Sequence, residues 1–205
     1  MIILDCHSHN LDSRNAIISV EAQRFEPILG HIYAVGVHPW HADEMCSYER
    51  LLAVASHKQV VALGEAGLDR LCKVDFQLQL EIFRRQVELS ERIGKPMIIH
   101  CVRALDVLLM VRKQLRAQQP WVWHGFRGGV KQLRQLINCG IFPSFGEHFS
   151  AESVRELPLE KLLIETDCSS LSIQEIAEKV AAVRNIEPQL FAEVVADNIK
   201  NLFRL

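Results

Sequence analysis

The chain reads as an α/β protein, a compact (β/α)8 TIM-type barrel that lacks the helix between its first two strands. Three observations predict this: eight short runs rich in Ile, Val and Leu, longer amphipathic stretches between most of them, and metal-ligand residue types recurring where the runs end. Parallel strands buried by helices become nearly continuous apolar runs, which is the pattern seen here. With 205 residues and 49% hydrophobic content, one core and a single domain over 1–205 are expected. That length lies near the lower limit of ~200 residues for this architecture.

The first run covers 2–6 and the second 16–20, with only Asn10 to Asn15 clearly between them. A parallel crossover that carries its own helix needs at least ~10–12 residues, so none fits there. The third run is 32–37, and a helix over 48–57 leads to the fourth at 60–64. The clearest helix is 73–93, where Phe76, Leu80, Phe83, Val87 and Ile93 fall close to one face and Gly94-Lys95-Pro96 ends it. The fifth run (96–100), a helix (103–118), the sixth run (121–124), a helix (129–138), and the seventh (140–144) and eighth (162–166) runs follow. Helices over 171–184 and 189–203 complete the chain, the latter introduced by Pro188.

Composition excludes several classes. Lys+Arg number 23 against 25 Asp+Glu, so there is no global basic field and any nucleic-acid binding must be local. Apolar runs such as Val107 to Val111 fall far short of the ~20 residues of a membrane span, and no membrane association is expected. The six cysteines form no Cys-x-x-Cys pair, and no secretory pattern is present. A reduced, cytoplasmic protein with no obligatory protein partner is the expectation.

His7 and His9 alternate in Asp5-Cys6-His7-Ser8-His9, so a strand aims both imidazoles to one side. Glu65, His100, His124 and Asp167 each end another apolar run. Reaction sites of parallel barrels gather at the carboxyl ends of the strands. Four imidazoles and two carboxylates exceed the needs of one four-coordinate ion, so two divalent ions sharing Glu65 are expected. One ion would take His7, His9, Asp167 and Glu65, the other Glu65, His100 and His124. Zn²⁺, Mn²⁺ and Mg²⁺ all suit such donors. Paired cations lower the pKa of a shared water from 15.7 toward ~7, which points to hydrolysis. Asp167 either orients and deprotonates that water or serves as a plain ligand. His38, in Val37-His38-Pro39, either contacts phosphate and protonates a leaving oxygen or is a structural histidine. Arg127, among Gly125, Gly128 and Gly129, offers a planar fork to phosphate, with a solvated surface arginine as the alternative. Cys6 and Cys101 are expected to pack toward the helices as small apolar groups, and Trp121 and Trp123 to fill the core.

In order along the chain, Asp5-x-His7-x-His9, Gly36-x-His38-Pro39, Gly64-Glu65-x-Gly67-Leu68-Asp69, Gln79-x-x-x-Phe83-x-x-Gln86, Pro96-x-x-Ile99-His100, His124-x-Phe126-x-Gly128, Glu165-Thr166-Asp167 and Asn198-x-x-x-Leu202-Phe203 together resemble the TatD family of metal-dependent deoxyribonucleases. The resemblance covers nearly the whole chain. It implies a TIM-type barrel, metal-dependent phosphodiester hydrolysis, commonly 3′-to-5′ exonuclease action on DNA, and phosphate contact at His38. Three positions depart from the family pattern. Val102 stands where an arginine is usual and Arg103 follows it, Arg127 replaces a Ser or Thr, and Ser169 replaces a Pro. Phosphate contact by Arg103 is the reading these departures bear on most.

The expected activity is therefore phosphodiester hydrolysis of DNA or a small phosphodiester, with Asp167, Glu65 and His38 catalytic and His38, Arg127 and Arg103 binding substrate. The rivals are hydrolysis of a carboxylic ester, lactone or amide by the same ions, and a metal-binding barrel with little catalysis.

Overall fold

The computed structural model describes residues 4–44 and 47–205. Ile2 and Ile3 of the first apolar run, together with Cys46, lie outside these residues. Contacts divide the chain into two compact units, Met1–Ile18 with Val122–Leu205, and Ser19–Trp121. Strands follow one another in chain order: β1 (Asp5–Ser8), β2 (Ala16–Glu21), β3 (Ile32–Gly36), β4 (Val60–Asp69), β5 (Met97–Val102), β6 (Trp121–Trp123), β7 (Ile141–Phe145) and β8 (Leu163–Ile164). Parallel pairing joins β1 to β2, β3 to β4, β4 to β5 and β7 to β8, and a bridge between Ser8 and Asp167 returns the end of the ladder to its start. This is the strand order of the (β/α)8 class. No helix stands between β1 and β2 among the described residues, as the short connection predicts.

In the unit Ser19–Trp121, α1 (Ser47–Val54), α2 (Phe76–Ile93) and α3 (Leu105–Gln114) accompany β3 to β5. Helix α2 starts where the Asp75 carboxylate accepts from the amides of Gln77 and Leu78, and it stops at Gly94, whose φ of +69° suits glycine. Its inner face carries fully buried Phe83 and Val87, each worth roughly 1.5–3 kcal/mol of burial. Two buried glutamines on the same helix work as clips. The Gln86 side chain accepts from Val37 N and donates to Val37 O, both at 2.9 Å. Gln79 accepts from Asp69 N at 2.8 Å and donates to Asp69 O at 3.1 Å. The helix thereby fixes the backbone beside His38 and at the end of β4.

The sequence expectation for the fourth strand stops at residue 64, whereas β4 runs on to Asp69. Pairing with β5 continues through Ala66 with Ile99 and Asp69 with Val102, which keeps Gly-Glu-Ala-Gly-Leu-Asp extended despite its two glycines. Glu65 therefore lies inside a strand, in the span from Leu63 to Ala66 where the register shifts. Gly67 is required there, because a Cβ would collide with the carbonyl of His100.

In the other unit, α4 (Val130–Asn138), α5 (Ala151–Glu156), α6 (Ile173–Arg184) and α7 (Pro188–Phe203) accompany the strands. Helix α5 has no counterpart in the expected elements, because at six residues it is too short to show a periodic apolar face. Ser172 and Glu175 form a reciprocal capping box at the start of α6. Helix α7 buries Phe191, Val195, Ile199 and Phe203, one every fourth residue, and its Asn198 amide donates to the carbonyls of Leu159 and Leu162 ahead of β8. No helix among the described residues is long and apolar enough to cross a membrane.

Candidate metal centre

Four of the predicted ligands belong to the unit formed by 1–18 and 122–205. His7, fully buried in β1, and His9, just beyond it, each hold Nε2 at 3.6 Å from Oδ1 of Asp167. Backbone bonds set this arrangement. Asp167 N donates to His7 O at 2.9 Å, and His9 N donates to Asp167 O at 3.2 Å. Asp167 has φ of +52°, a left-handed conformation that costs a non-glycine residue about 1–2 kcal/mol. The two bonds, to His7 in β1 and from His9 just beyond it, hold it there. The ring of His124, which follows β6, lies 4.4 Å from that of His7.

A polar layer supports these groups. Thr166 Oγ1 stands 2.6 Å from Asp5 Oδ2 and 2.8 Å from Ser8 Oγ, while Asp5 Oδ1 accepts from the amides of Thr166 and His7. Burial pushes the Asp5 carboxyl up to about 7, against the lowering effect of those hydrogen bonds. Glu165 is fully buried; its Oε1 accepts from Gly125 N and lies 3.6 Å from Nδ1 of His124.

The remaining ligand candidates lie in the unit 19–121. Glu65 Oε1 is 3.2 Å from His100 Nδ1 and 3.5 Å from His38 Nε2. His38 Nδ1 accepts from Trp40 N at 3.2 Å, which leaves the proton on Nε2, facing Glu65. On its other side His100 Nε2 lies 3.3 Å from Asp69 Oδ2, and that oxygen also accepts from the Trp40 indole at 2.8 Å. Burial pushes Asp69 upward, but bonds from Trp40, the Leu71 amide and His100 outweigh it and hold the carboxyl below its ordinary value.

Arg127 and Cys168 are exposed and, with Glu147, His148, Asp167 and Ser169, line a cavity of about 220 Å³. Arg103 is exposed just after β5, with φ of +52°. Trp121 packs in the core against Phe83, as expected. Cys6 does not follow expectation. Its Sγ meets Ser144 Oγ of β7 at 3.0 Å rather than a helix, because β1 carries a register irregularity between Asp5 and Ser8 that breaks strict alternation.

The donor sets fit divalent metal. Ligand atoms of His7, His124 and Asp167 lie within 4.8 Å of one another, and so do those of His38, Glu65 and His100. His9, Asp167 and Cys168 form a further such group. Imidazole nitrogen mixed with carboxylate oxygen suits zinc and its first-row neighbours. Within its own unit His124 gathers with His7 and Asp167. Carboxylates behind metal-ligand histidines fix tautomer and orientation. Asp69 stands in that position to His100 and Glu165 to His124, and sequence reasoning gave neither a role. Both letters lie in the quoted motifs, yet their partners are 31 and 41 residues away in the chain.

Comparison with known proteins agrees with this chemistry. The "TatD related DNase" family profile matches residues 7–204. An uncharacterized metal-dependent hydrolase, YabD of Bacillus subtilis, is 29% identical over 84% of this chain and 77% of its own length. A protein of Citrobacter rodentium named 3′-5′ ssDNA/RNA exonuclease TatD is 30% identical over 90% of this chain and 75% of its own. The crystal structure of the TatD homologue YjjV from Escherichia coli shares the fold, with a TM-score of 0.86, 24% identity and full coverage of both chains. The chain belongs to the TatD-related DNase family of metal-dependent hydrolases and has that family's (β/α)8 TIM-barrel fold.

Proposed function

We propose that the chain, acting as one catalytic domain over 1–205, hydrolyses phosphodiester bonds of nucleic acid with His7, His9, Glu65, His100, His124 and Asp167 as ligands of two divalent cations. The observation that carries this reading is the pair of compact donor groups, each mixing imidazole nitrogen with carboxylate oxygen. The bridging role of Glu65 rests on the sequence argument. Bound cations would supply an acidified water and positive charge for the phosphate oxygens. Asp167, held by two backbone bonds, would orient that water and take up its proton. His38 presents the N–H of Nε2, suited to donating to a phosphate or leaving oxygen. Arg127 and Arg103 are exposed cations for phosphate contact. The Citrobacter relative named as a 3′-5′ exonuclease supports a nucleic-acid substrate and exonucleolytic action.

The test is hydrolysis of bis-p-nitrophenyl phosphate and of 3′-labelled single-stranded DNA with Mg²⁺, Mn²⁺, Zn²⁺ or Co²⁺ added to chelator-treated protein. Turnover of both, lost on chelation and in H124A, is expected. Failure on both substrates with every ion overturns the reading.

A further inference from the structure

The strongest unassigned feature beside the metal ligands is an exposed indole. Trp40 is 56% exposed, yet its orientation is fixed. Its Nε1 donates to Asp69 Oδ2 at 2.8 Å, its amide donates to His38 Nδ1, and its ring meets the His38 ring edge-on with centroids 4.8 Å apart. Asp69 also accepts from the amide of Leu71, whose side chain is 61% exposed. One carboxylate thus tethers two residues that offer apolar surface to water, next to His38 and His100. An indole whose N–H is anchored while its ring stays half in water has little to reorganise when a partner stacks on it, the use that enriches tryptophan at contact surfaces. Cations flank it. Arg70 and Arg103, both exposed, follow β4 and β5, and the Arg70 amide donates to Val102 O, so their backbones lie side by side.

We infer that Trp40 is a stacking platform for an unpaired nucleobase of the substrate, with Arg70 and Arg103 taking the adjoining phosphates. The inference rests on the nucleic-acid reading above and narrows it to single strands or frayed ends, because a paired base has no free face to offer. A rigid aromatic beside backbone-tracking cations is how proteins hold single strands without reading their sequence. The Trp40 amide and indole N–H are already committed to His38 and Asp69, so the ring offers its π face and no sequence-reading donor.

The chain supplies its own probe. Of its three tryptophans, Trp121 and Trp123 are 0% and 8% exposed, so Trp40 dominates the accessible emission. The full chain, saturated with Mn²⁺, is titrated with an octathymidylate carrying a cleavage-resistant phosphorothioate backbone. Parallel titrations use an abasic strand of equal length and charge, and a blunt duplex. The thymidylate should quench the emission and bind roughly tenfold more tightly than the abasic strand, the effect of about one base–aromatic stack. The duplex should bind no better than the abasic strand. Read by the fluorescence anisotropy of 5′-labelled strands, since the variants lack the Trp40 emission, Trp40→Phe keeps a ring and should retain most of the preference; Trp40→Ala should bring the two single strands to within about twofold. Equal binding of the thymidylate and abasic strands by the wild-type chain overturns the inference, and so does duplex binding as tight as the single strand. Quenching by thymidylate without hydrolysis of bis-p-nitrophenyl phosphate sinks the hydrolase reading alone. Hydrolysis with no base preference sinks the stack alone.

Discussion

Oδ2 of Asp69 lies 3.3 Å from Nε2 of His100, on the side of the imidazole away from Glu65. The same oxygen accepts from Trp40, so it is not free to follow the ring. An acceptor at Nε2 keeps the proton there and leaves Nδ1 as the donor available to a cation.

Asp69→Asn removes that preference. Affinity for Zn²⁺ should fall about 10- to 100-fold, the usual effect of losing such a support. Competition against a chromophoric chelator measures it, and circular dichroism checks the fold. Unchanged affinity would show that Asp69 does not direct His100.

Gly67→Ala places a methyl group against the carbonyl of His100 where β4 and β5 pair. Both elements are backbone there, so neither can move aside without breaking the ladder. A loss of about 2 kcal/mol or more is expected, read from the urea midpoint. A wild-type midpoint would refute it.

Gln86→Ala leaves both the amide and the carbonyl of Val37 without the glutamine that clips them. Each lost buried partner costs about 1–3 kcal/mol, and the loop bearing His38 loses its anchor. Stability and turnover should fall together. Glu at the same position retains the acceptor but not the donor, and should recover part of each.

Asp5 gives stability a pH dependence of defined sign. Its carboxyl is raised from 3.8 to about 7 by burial, so between those values the metal-free native state holds a proton that the unfolded chain has lost. That contribution is full below about pH 4 and disappears as pH rises through about 7, with a slope of at most ~1.4 kcal/mol per pH unit. Urea unfolding of chelated protein across this range should show the decline, and Asp5→Asn should flatten it. An equal slope in the two proteins would assign the effect elsewhere.

Much of this was legible in the amino-acid order, for a physical reason. Strands covered on both faces must be apolar, so β3, β5 and β7 appear as runs of Ile, Val, Ala and Phe within a residue or two of their true limits. The end of β4 was hidden because Gly64 and Gly67 read as punctuation, although the second is there to let β5 approach. The six metal-type side chains stood out by residue type and position. What surrounds them did not. Trp40 and Asp69 are 29 residues apart and Thr166 and Asp5 are 161 apart, and no periodicity reports a bond across such distances. Cys6 misled for a related reason, since alternation holds only while the register is regular.

The bridge from Ser8 to Asp167 has a mechanical consequence. The residues that stitch the last strand to the first are also, or adjoin, those that would grip an ion, so a cation bound by His7, His9 and Asp167 acts as a clasp on the seam. Stripping the metal should open that seam first: amide protons of His9 and Asp167, which make the cross-strand bonds, should exchange with deuterium well before those of β4 and β5.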